Sequence, residues 1–195
     1  MKSINYFLSI IISILFFSSS LIAEEKVKSD EKKDKSSLYS GLKFRSIGPA
    51  LMSGRISDIV IHPENENVWY VTAGSGGVWK TENSGTSWNS IFDGQKSYSI
   101  GCITLDPQNP NVVWVGTGEN VGGRHVAYGD GIYKSEDGGK SWKNMGLKKS
   151  EHISKIIVHP KNNKILWVAS QGPLWSSGGE RGIYKTTDGG KTWIQ

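Results

Sequence analysis

The segment IYKSEDGGKSW at residues 132–142 decides the fold, because near copies of it recur at a regular spacing. VWKTENSGTSW occupies residues 78–88, and IYKTTDGGKTW occupies residues 183–193. The tryptophans that end the three copies are 54 and 51 residues apart. Self-similarity with a period of roughly 50 residues is typical of β-propeller blades.

Each copy has the chemistry of a tight turn between two strands. The shared pattern is Ser or Thr, any residue, Asp or Asn, any residue, Gly, any residue, Ser or Thr, and Trp. Asp and Asn side chains bond backbone N–H groups two residues on, and Gly takes a positive φ at little cost. Three copies at one period indicate a structural device rather than catalysis. The predicted structural residues are Asn83, Gly85, Trp88, Asp137, Gly139, Trp142, Asp188, Gly190 and Trp193.

Four strand-like pieces fill each repeat, and they predict three blades at about 55–92, 98–147 and 152–195. Strand A alternates apolar and polar residues and ends before a His-Pro or Asp-Pro turn. Strand B carries an aromatic residue, and we expect Trp69, Trp114 and Trp167 to be equivalent. Strand C is the Val-Trp-Lys or Ile-Tyr-Lys piece, and strand D starts at the final tryptophan of the repeat.

The N-terminus has the pattern of an export signal. Lys2 precedes an apolar stretch at 4–17 and a small-residue exit, which predicts a signal peptide over 1–23 that is cleaved near Ala23. The alternative is an uncleaved membrane anchor. Residues 24–40 are highly charged and predict a solvated linker. We therefore expect an exported protein (periplasmic, secreted or at the cell surface) with no membrane span after cleavage.

Composition excludes several classes of function. The 195 residues include 24 Gly and 8 Trp, all after residue 40, and a single Cys, which excludes a disulfide framework or a Cys-based zinc site. The net charge of +5 is too mild for nucleic-acid binding. No metal site is predicted, because His62 and His159 precede Pro in different blades. No cofactor is predicted either, because phosphate-loop and nucleotide fingerprints are missing, and Cys102 should be a small buried residue.

The loops between strands B and C are the candidate ligand site. They are long in the second and third repeats, where they read GTGENVGGRHVAYGDG (116–131) and SQGPLWSSGGERG (170–182). Scaffolds place function on such loops, and aromatic rings with polar groups of both signs suit a sugar or a peptide. The alternative is that the loops are solvated and only bridge blades. The predicted ligand-binding residues are Glu119, Asn120, Arg124, Asp130, Trp175 and Arg181.

The repeated turns resemble the Asp-box, or BNR repeat, of sialidases, xyloglucanases, sortilin-type receptors and photosystem II assembly-factor propellers. FRSIGPALMSGRISDIV (44–60), GTGEN (116–120) and YGDGIYKSEDGGKSW (128–142) are similar to large exported bacterial proteins with a sortilin N-terminal-like propeller, often labelled glycosyl hydrolases. The resemblance covers residues 41–195 and implies an all-β propeller. Because propellers have about 4–8 blades, we expect this chain to be a fragment of a larger ring.

Two functions fit this resemblance. The first is a binding or scaffold module that engages a protein, peptide or carbohydrate on its loop face. The alternative is a xyloglucanase-like or sialidase-like glycoside hydrolase with catalytic residues partly outside this chain, which would need two carboxylates. The xyloglucanase pattern has a catalytic Asp in Thr-Asp-x-Gly-Gly, but Gly74 stands at that position here. A sialidase would need an arginine cluster, for which the candidates are Arg45, Arg55, Arg124 and Arg181. The departure at Gly74 favours binding, and no catalytic residue is assigned.

Overall fold

The computed structural model describes Gly41 and residues 55–195, apart from residue 124. The predicted signal peptide over 1–23 and linker over 24–40 lie outside the described residues. All the strands lie in one compact unit. In the described part of the chain, no apolar helix is long enough to cross a membrane.

The described residues form three antiparallel sheets whose strands pair in chain order. The first sheet contains β1 (Ile56–Ile61), β2 (Trp69–Ala73), β3 (Gly77–Thr81) and β4 (Asn89–Ser90). The second contains β5 (Ile100–Asp106), β6 (Asn109–Thr117), β7 (Ile132–Ser135) and β8 (Lys143–Asn144). The third contains β9 (Ile153–Val158), β10 (Leu166–Ser170) and β11 (Gly182–Thr186), with a bridge between Lys185 and Ile194 at its edge. The prediction of an all-β chain with three propeller blades is confirmed.

Each turn between the first two strands is closed by the side chain that precedes proline. An acceptor atom on that side chain receives the backbone N–H two residues further on. The three hydrogen bonds run from Glu64 to His62 Nδ1 at 3.2 Å, from Gln108 to Asp106 Oδ1 at 2.8 Å and from Lys161 to His159 Nδ1 at 3.1 Å. The His-Pro and Asp-Pro pairs are therefore interchangeable turn devices.

The second blade is buried on both faces. Successive residues of a strand point to opposite sides of its sheet, so Val113 and Val115 of β6 pack toward the first blade. Val112 and Trp114 pack toward the third blade. This double burial explains why the strand reads as a nearly continuous apolar run.

A glycine allows the second and third blades to approach closely. Gly101 lies at an irregularity in β5, between Ile100 and Cys102. A Cβ atom at residue 101 would lie 2.1 Å from the carbonyl oxygen of Ile153, so only glycine fits. The thiol of Cys102 is buried in the same interface, as predicted, and desolvation raises its pKa to about 12.

The three turns at 81–88, 135–142 and 186–193, here called the box turns, share one hydrogen-bond pattern. In the second blade, Asp137 Oδ1 accepts the Ser135 hydroxyl at 2.7 Å and the Ser141 backbone N–H at 2.8 Å. Ser135 Oγ accepts the Gly139 N–H at 2.8 Å. The carboxylate therefore bonds the N–H four residues on, and the expectation of a bond two residues on was wrong. The reason is that the hydroxyl of the preceding Ser or Thr takes the nearer amide.

The tryptophans that end the second and third box turns link neighbouring blades. Trp142 donates its indole N–H to the carbonyl of Ile91 in the first blade at 2.7 Å. Trp193 donates in the same way to Met145 in the second blade at 2.8 Å. The short fourth strands begin one residue after Trp88 and Trp142, not at them. Each indole thus reaches back to the blade that precedes it in sequence.

The expected equivalence of Trp69 with Trp114 and Trp167 was wrong by one residue. Strand pairing aligns lysine with Tyr70, Trp114 and Trp167, in the pairs Lys80–Tyr70, Lys134–Trp114 and Lys185–Trp167. In each pair the ammonium lies 5.3–5.7 Å from the centre of the aromatic ring. Trp69 points to the other face of β2 and packs edge-on against Trp88. The adjacent aromatics at 69 and 70 made the two alignments look alike.

Candidate functional site

The predicted ligand-binding residues fall on one edge of the blades, which we call the long-loop rim. It contains the described residues of loops 118–131 and 171–181 and the shorter loop 74–76. The box turns lie at the other end of the same strands. In every blade, the first loop residue donates its N–H to the residue before the first strand. These bonds are Gly74 to Arg55 at 2.8 Å, Gly118 to Ser99 at 2.7 Å and Gln171 to His152 at 2.8 Å.

Glu119 is the buried carboxylate of this rim, with only 2% of its side chain exposed. Arg55 of the first blade donates its Nε–H to Glu119 Oε1 at 2.7 Å, and its Nη2 contacts the same oxygen. Arg55 Nη1 also lies 2.6 Å from Nε2 of the exposed His125. A carboxylate is costly to bury unless it is paired, so the partly exposed guanidinium is what keeps Glu119 in place.

Gly74 leaves the space that this carboxylate occupies. A Cβ atom at residue 74 would lie 2.2 Å from Glu119 Oε1 and 2.5 Å from its Cδ. The first blade therefore carries no side chain here, and the second blade supplies a carboxylate to the same volume. Gly74, Arg55 and Glu119 depend on one another for their positions.

A hydrogen-bonded group links the second and third blades beside Glu119. His152 is fully buried, and its Nδ1 lies 2.8 Å from the Glu119 carbonyl oxygen. Gln171 donates its Nε2–H to the Asn120 carbonyl at 3.2 Å, and Asn120 donates its own amide to the Gly101 carbonyl at 3.1 Å. Glu119, Asn120, His152 and Gln171 thus form one group.

The other predicted residues are placed differently. Asp130 accepts the Tyr133 hydroxyl at 2.7 Å at the base of its loop. Arg181 donates to carbonyls of its own loop, at Pro173 and at Ser176. Trp175 is 68% exposed. Arg124 lies outside the described residues. Among the described residues, no hydrogen bond joins Asp130, Trp175 or Arg181 to Glu119.

The arginine candidates for a sialidase site have separate partners. Arg55 pairs with Glu119, and Arg181 is held by its own loop. Arg45 and Arg124 lie outside the described residues. The described arginines therefore offer no free pair of guanidinium groups for a carboxylated sugar.

Buried polar atoms that lack a protein partner are concentrated on the long-loop rim. Of six such atoms among the described residues, five belong to this rim and its adjoining connections. They are Glu119 Oε2, Asp130 Oδ1, Ser150 Oγ, His152 Nε2 and Gln171 Oε1. Buried polar groups are normally hydrogen-bonded, so this edge of the molecule has unused bonding capacity.

Two surface depressions lie near these features. One, of about 580 Å³, is on the long-loop rim beside Leu147, Lys149 and Glu180. The other, of about 810 Å³, lies between the second and third blades near the box turns, beside Lys134 and Asp188. Although the second is larger, its lysine at 134 is paired with Glu136 and Asp188 is used by its own turn. The long-loop rim is therefore the stronger candidate site.

Sequence reasoning missed His152 and Gln171 and saw Arg55 only as a member of an arginine cluster. His152 and Arg55 each stand one residue before a first strand, and Gln171 follows the second strand of the third blade. Aligning the repeats on Tyr70 instead of Trp69 would have placed Gly74, Gly118 and Gln171 at one position. The correct alignment would thus have shown that these three loop residues lie at the same edge of their blades.

Comparison with known proteins gives distant relatives. No protein-family model matches the chain. The chain is similar to the xyloglucanase Xgh74A of Acetivibrio thermocellus, with 23% identity over 153 residues, covering 72% of this chain and 17% of the xyloglucanase. It is also similar to the oligoxyloglucan-reducing end-specific xyloglucanase of Emericella nidulans, with 22% identity over 160 residues, covering 74% of this chain and 18% of that protein.

Among solved structures, the GH74 enzyme of Niastella koreensis matches with a TM-score of 0.52 and 25% identity. The match covers 70% of this chain and 20% of that enzyme. The chain thus spans only about a fifth of the length of these proteins. The likenesses support a β-propeller of the glycoside-hydrolase-like kind.

Proposed function

We propose that this chain is part of a glycan-binding β-propeller that holds a xyloglucan-type polysaccharide on its long-loop rim. The observation that carries the proposal is the rim itself, where a buried carboxylate and unused polar atoms lie on blades similar to those of xyloglucanases. The predicted signal peptide over 1–23 supports export, which would bring the protein to polysaccharide outside the cytoplasm.

Aromatic side chains on the rim support a sugar ligand. Trp175 is 68% exposed and Tyr128 is 60% exposed, one in each long loop. Exposed aromatic rings that stand beside convergent polar groups are typical of sites that bind the apolar faces and the hydroxyls of a sugar together. Peptides use similar surfaces, so a peptide ligand is the alternative outcome of the test below.

Binding without hydrolysis fits the described carboxylates better than catalysis. Glycosidases generally need two carboxyl groups that flank the scissile bond. Glu119 is held by Arg55, Asp130 accepts a tyrosine hydroxyl, and Glu180 accepts the Lys149 N–H. Each of these groups thus has an intramolecular partner, and the position at 74 has no side chain.

The test is retention of the full-length protein on xyloglucan, measured by affinity electrophoresis and calorimetry. We expect binding to xyloglucan, and Trp175→Ala should weaken it at least about fivefold, as loss of a central aromatic contact usually does. Lys161→Ala is the control, because Lys161 is exposed in the turn between β9 and β10, at the end of the strands opposite the long-loop rim. This control should bind like the wild type.

Two results would contradict the proposal. Binding of unrelated peptides but not of xyloglucan would indicate a peptide receptor. Release of reducing sugar by the wild-type protein, lost in Glu119→Gln, would indicate the glycoside hydrolase alternative.

A further inference from the structure

The box turn of one blade packs on the lysine–aromatic pair of the blade before it. At Gly190 in the third blade, a Cβ atom would lie 2.8 Å from the Trp114 ring of the second blade. At Gly138 in the second blade, a Cβ atom would lie 3.5 Å from the Tyr70 hydroxyl and 3.6 Å from Lys80 Nζ. Tyr70 and Trp114 are both buried, so the turn of the following blade covers each pair.

The lysine–aromatic pair of the third blade has no box turn on it among the described residues. Lys185 lies 5.7 Å from the centre of the Trp167 ring, but this lysine is exposed and the tryptophan is only partly buried. Ile157, which pairs with Trp167, is 54% exposed. Ile183 is 61% exposed, although it holds the position of the fully buried Ile132 of the second blade. We call these four side chains of the third blade the receiving face.

The first blade has a box turn that packs on no lysine–aromatic pair in the described part of the chain. Gly85 holds the position of Gly139 and Gly190, and its backbone is left-handed in the same way, with φ of 88° against 92° and 86°. The preceding blade buries Gly139 and Gly190, whereas Gly85 is only partly buried. The first box turn therefore has the shape of the other two without the contact that they make.

The first strand of the same blade shows the same difference. Strand pairing places Ile59 and Ile61 of β1 at the positions of Ile103 and Leu105 of β5. Ile103 and Leu105 are buried against the first blade. Ile59 and Ile61 are 52% and 48% exposed. A contiguous exposed apolar surface marks an interaction site, and we call Ile59, Ile61 and the turn at Gly85 the docking face.

We propose that the docking face of one copy of this chain packs on the receiving face of a second copy. Each copy carries both halves of the contact that already joins its own blades. Such a head-to-tail contact gives a closed ring where the rotation allows closure. Propellers have about 4–8 blades. Two copies of the three described blades give six, whereas three copies would give nine, so the ring closes with two copies.

The test is sedimentation velocity of the purified full chain over a range of concentrations. We expect a dimer that dissociates on dilution. Ile59→Lys and Ile183→Lys each place an ammonium group in an apolar contact, where a charge without a partner is unfavourable. Each variant should weaken the dimer at least about tenfold. Val121→Lys is the matched control, because Val121 is 38% exposed but lies in a long loop, and it should dimerise like the wild type.

A mixture of the two variants tests the head-to-tail geometry. When one Ile59→Lys chain meets one Ile183→Lys chain, one of their two contacts joins an unchanged docking face to an unchanged receiving face. The mixture should therefore form dimers that neither variant forms alone. A symmetrical contact between two docking faces would instead be sensitive to Ile59→Lys alone, and that result would overturn the proposal.

Other outcomes would also contradict the proposal. A chain that stays monomeric at every concentration would show that the two faces do not meet. A dimer that neither variant weakens would place the contact elsewhere. Growth of polymers larger than two chains would overturn the closed ring. Both changed positions are exposed, so each variant should melt like the wild type at concentrations where the wild type is monomeric.

Discussion

Asp137 and Asp188 are carboxylates at the protein surface that nevertheless accept several hydrogen bonds within their own turns. Hydroxyl and amide donors favour the ionised form of a carboxylate. The Ser141 hydroxyl, its backbone N–H and the Ser135 hydroxyl therefore lower the pKa of Asp137 to about 2. The pKa of Asp188 is lowered in the same way by Thr192 and Thr186. Such a pattern is the signature of a structural turn rather than of an acid–base catalyst.

Asp137→Ala should lower the melting temperature, because Ser135 and Ser141 lose their acceptor. Asp137→Asn should lower it less. The first blade carries Asn83 at this position, where the amide donates to Ser87 Oγ at 2.9 Å and its oxygen still accepts the Ser87 N–H. Neither variant should change glycan affinity, which melting curves and titrations would check. Loss of binding at an unchanged melting temperature would assign the turn to the binding site.

The same carboxylate predicts an acid dependence of stability. The pKa of Asp137 in the folded protein, about 2, is below its ordinary value of 3.8. A depressed carboxyl pKa gives stability that is present above pH 3.8 and is lost as the pH falls toward 2. The melting-temperature difference between the wild type and Asp137→Asn should therefore shrink over this range. With Glu64→Gln, a change of an exposed carboxylate outside the turns, no such trend should appear.

At the scale of a strand or turn, the hydrogen bonds of the box-turn tryptophans could not be predicted from the repeat spacing or the composition. Sequence spacing identified the turns and their residues. The direction of the indole N–H depends on the neighbouring blade, where Ile91 and Met145 present carbonyl oxygens. Those residues share no motif, because any residue offers the same backbone acceptor. The sequence could thus predict the turns but not what their tryptophans bind.

Trp142→Phe should destabilise the chain by about 1–3 kcal/mol, because the Ile91 carbonyl loses its donor while most apolar contact remains. Edge-on packing with Phe92, at 5.1 Å between ring centres, is the contact that phenylalanine can partly retain. Chemical unfolding would measure the change. Trp175→Phe is the control, since Trp175 is exposed, and an equal loss in both variants would refute the specific role of the indole hydrogen bond.

Across the whole molecule, stability depends on how closely the blades pack. Gly101→Ala places a Cβ atom 2.1 Å from the Ile153 carbonyl, and rigid backbone cannot yield as a side chain can. We expect a loss of about 1–3 kcal/mol or more, measured by chemical unfolding. Gly94→Ala should leave the unfolding free energy unchanged, because a Cβ atom at residue 94 meets nothing within 4 Å. Unfolding of Gly101→Ala at the wild-type midpoint would show that the blades separate more easily than their contacts indicate.

The fold was more predictable than the site for a physical reason. The number of blades and the order of their strands follow from the repeated turn sequence, because each copy of the turn marks one blade. The group around Glu119 and His152 joins residues from different blades, 33 positions apart for these two, so no local pattern marks it. Aligning Trp69 instead of Tyr70 with Trp114 and Trp167 did not affect the predicted fold. It did prevent the alignment of Gly74 with Gln171, which would have indicated the long-loop rim.

The outer faces of the described blades remain apolar. Ile59 and Ile61 on the first blade and Ile157 and Ile183 on the third are each 48–61% exposed. Faces of this kind are the surfaces on which propeller blades pack against one another. Their side chains match in character the buried residues of the second blade.

The indole hydrogen bonds of Trp142 and Trp193 run toward the N-terminus. A protein chain is synthesised from its N-terminus, so the carbonyl that each tryptophan binds is made before the tryptophan itself. A newly made blade can therefore lock onto its predecessor as soon as its own last turn is released, without waiting for the next blade. We therefore expect the blades to assemble from the N-terminal end, each new blade docking on the one before it.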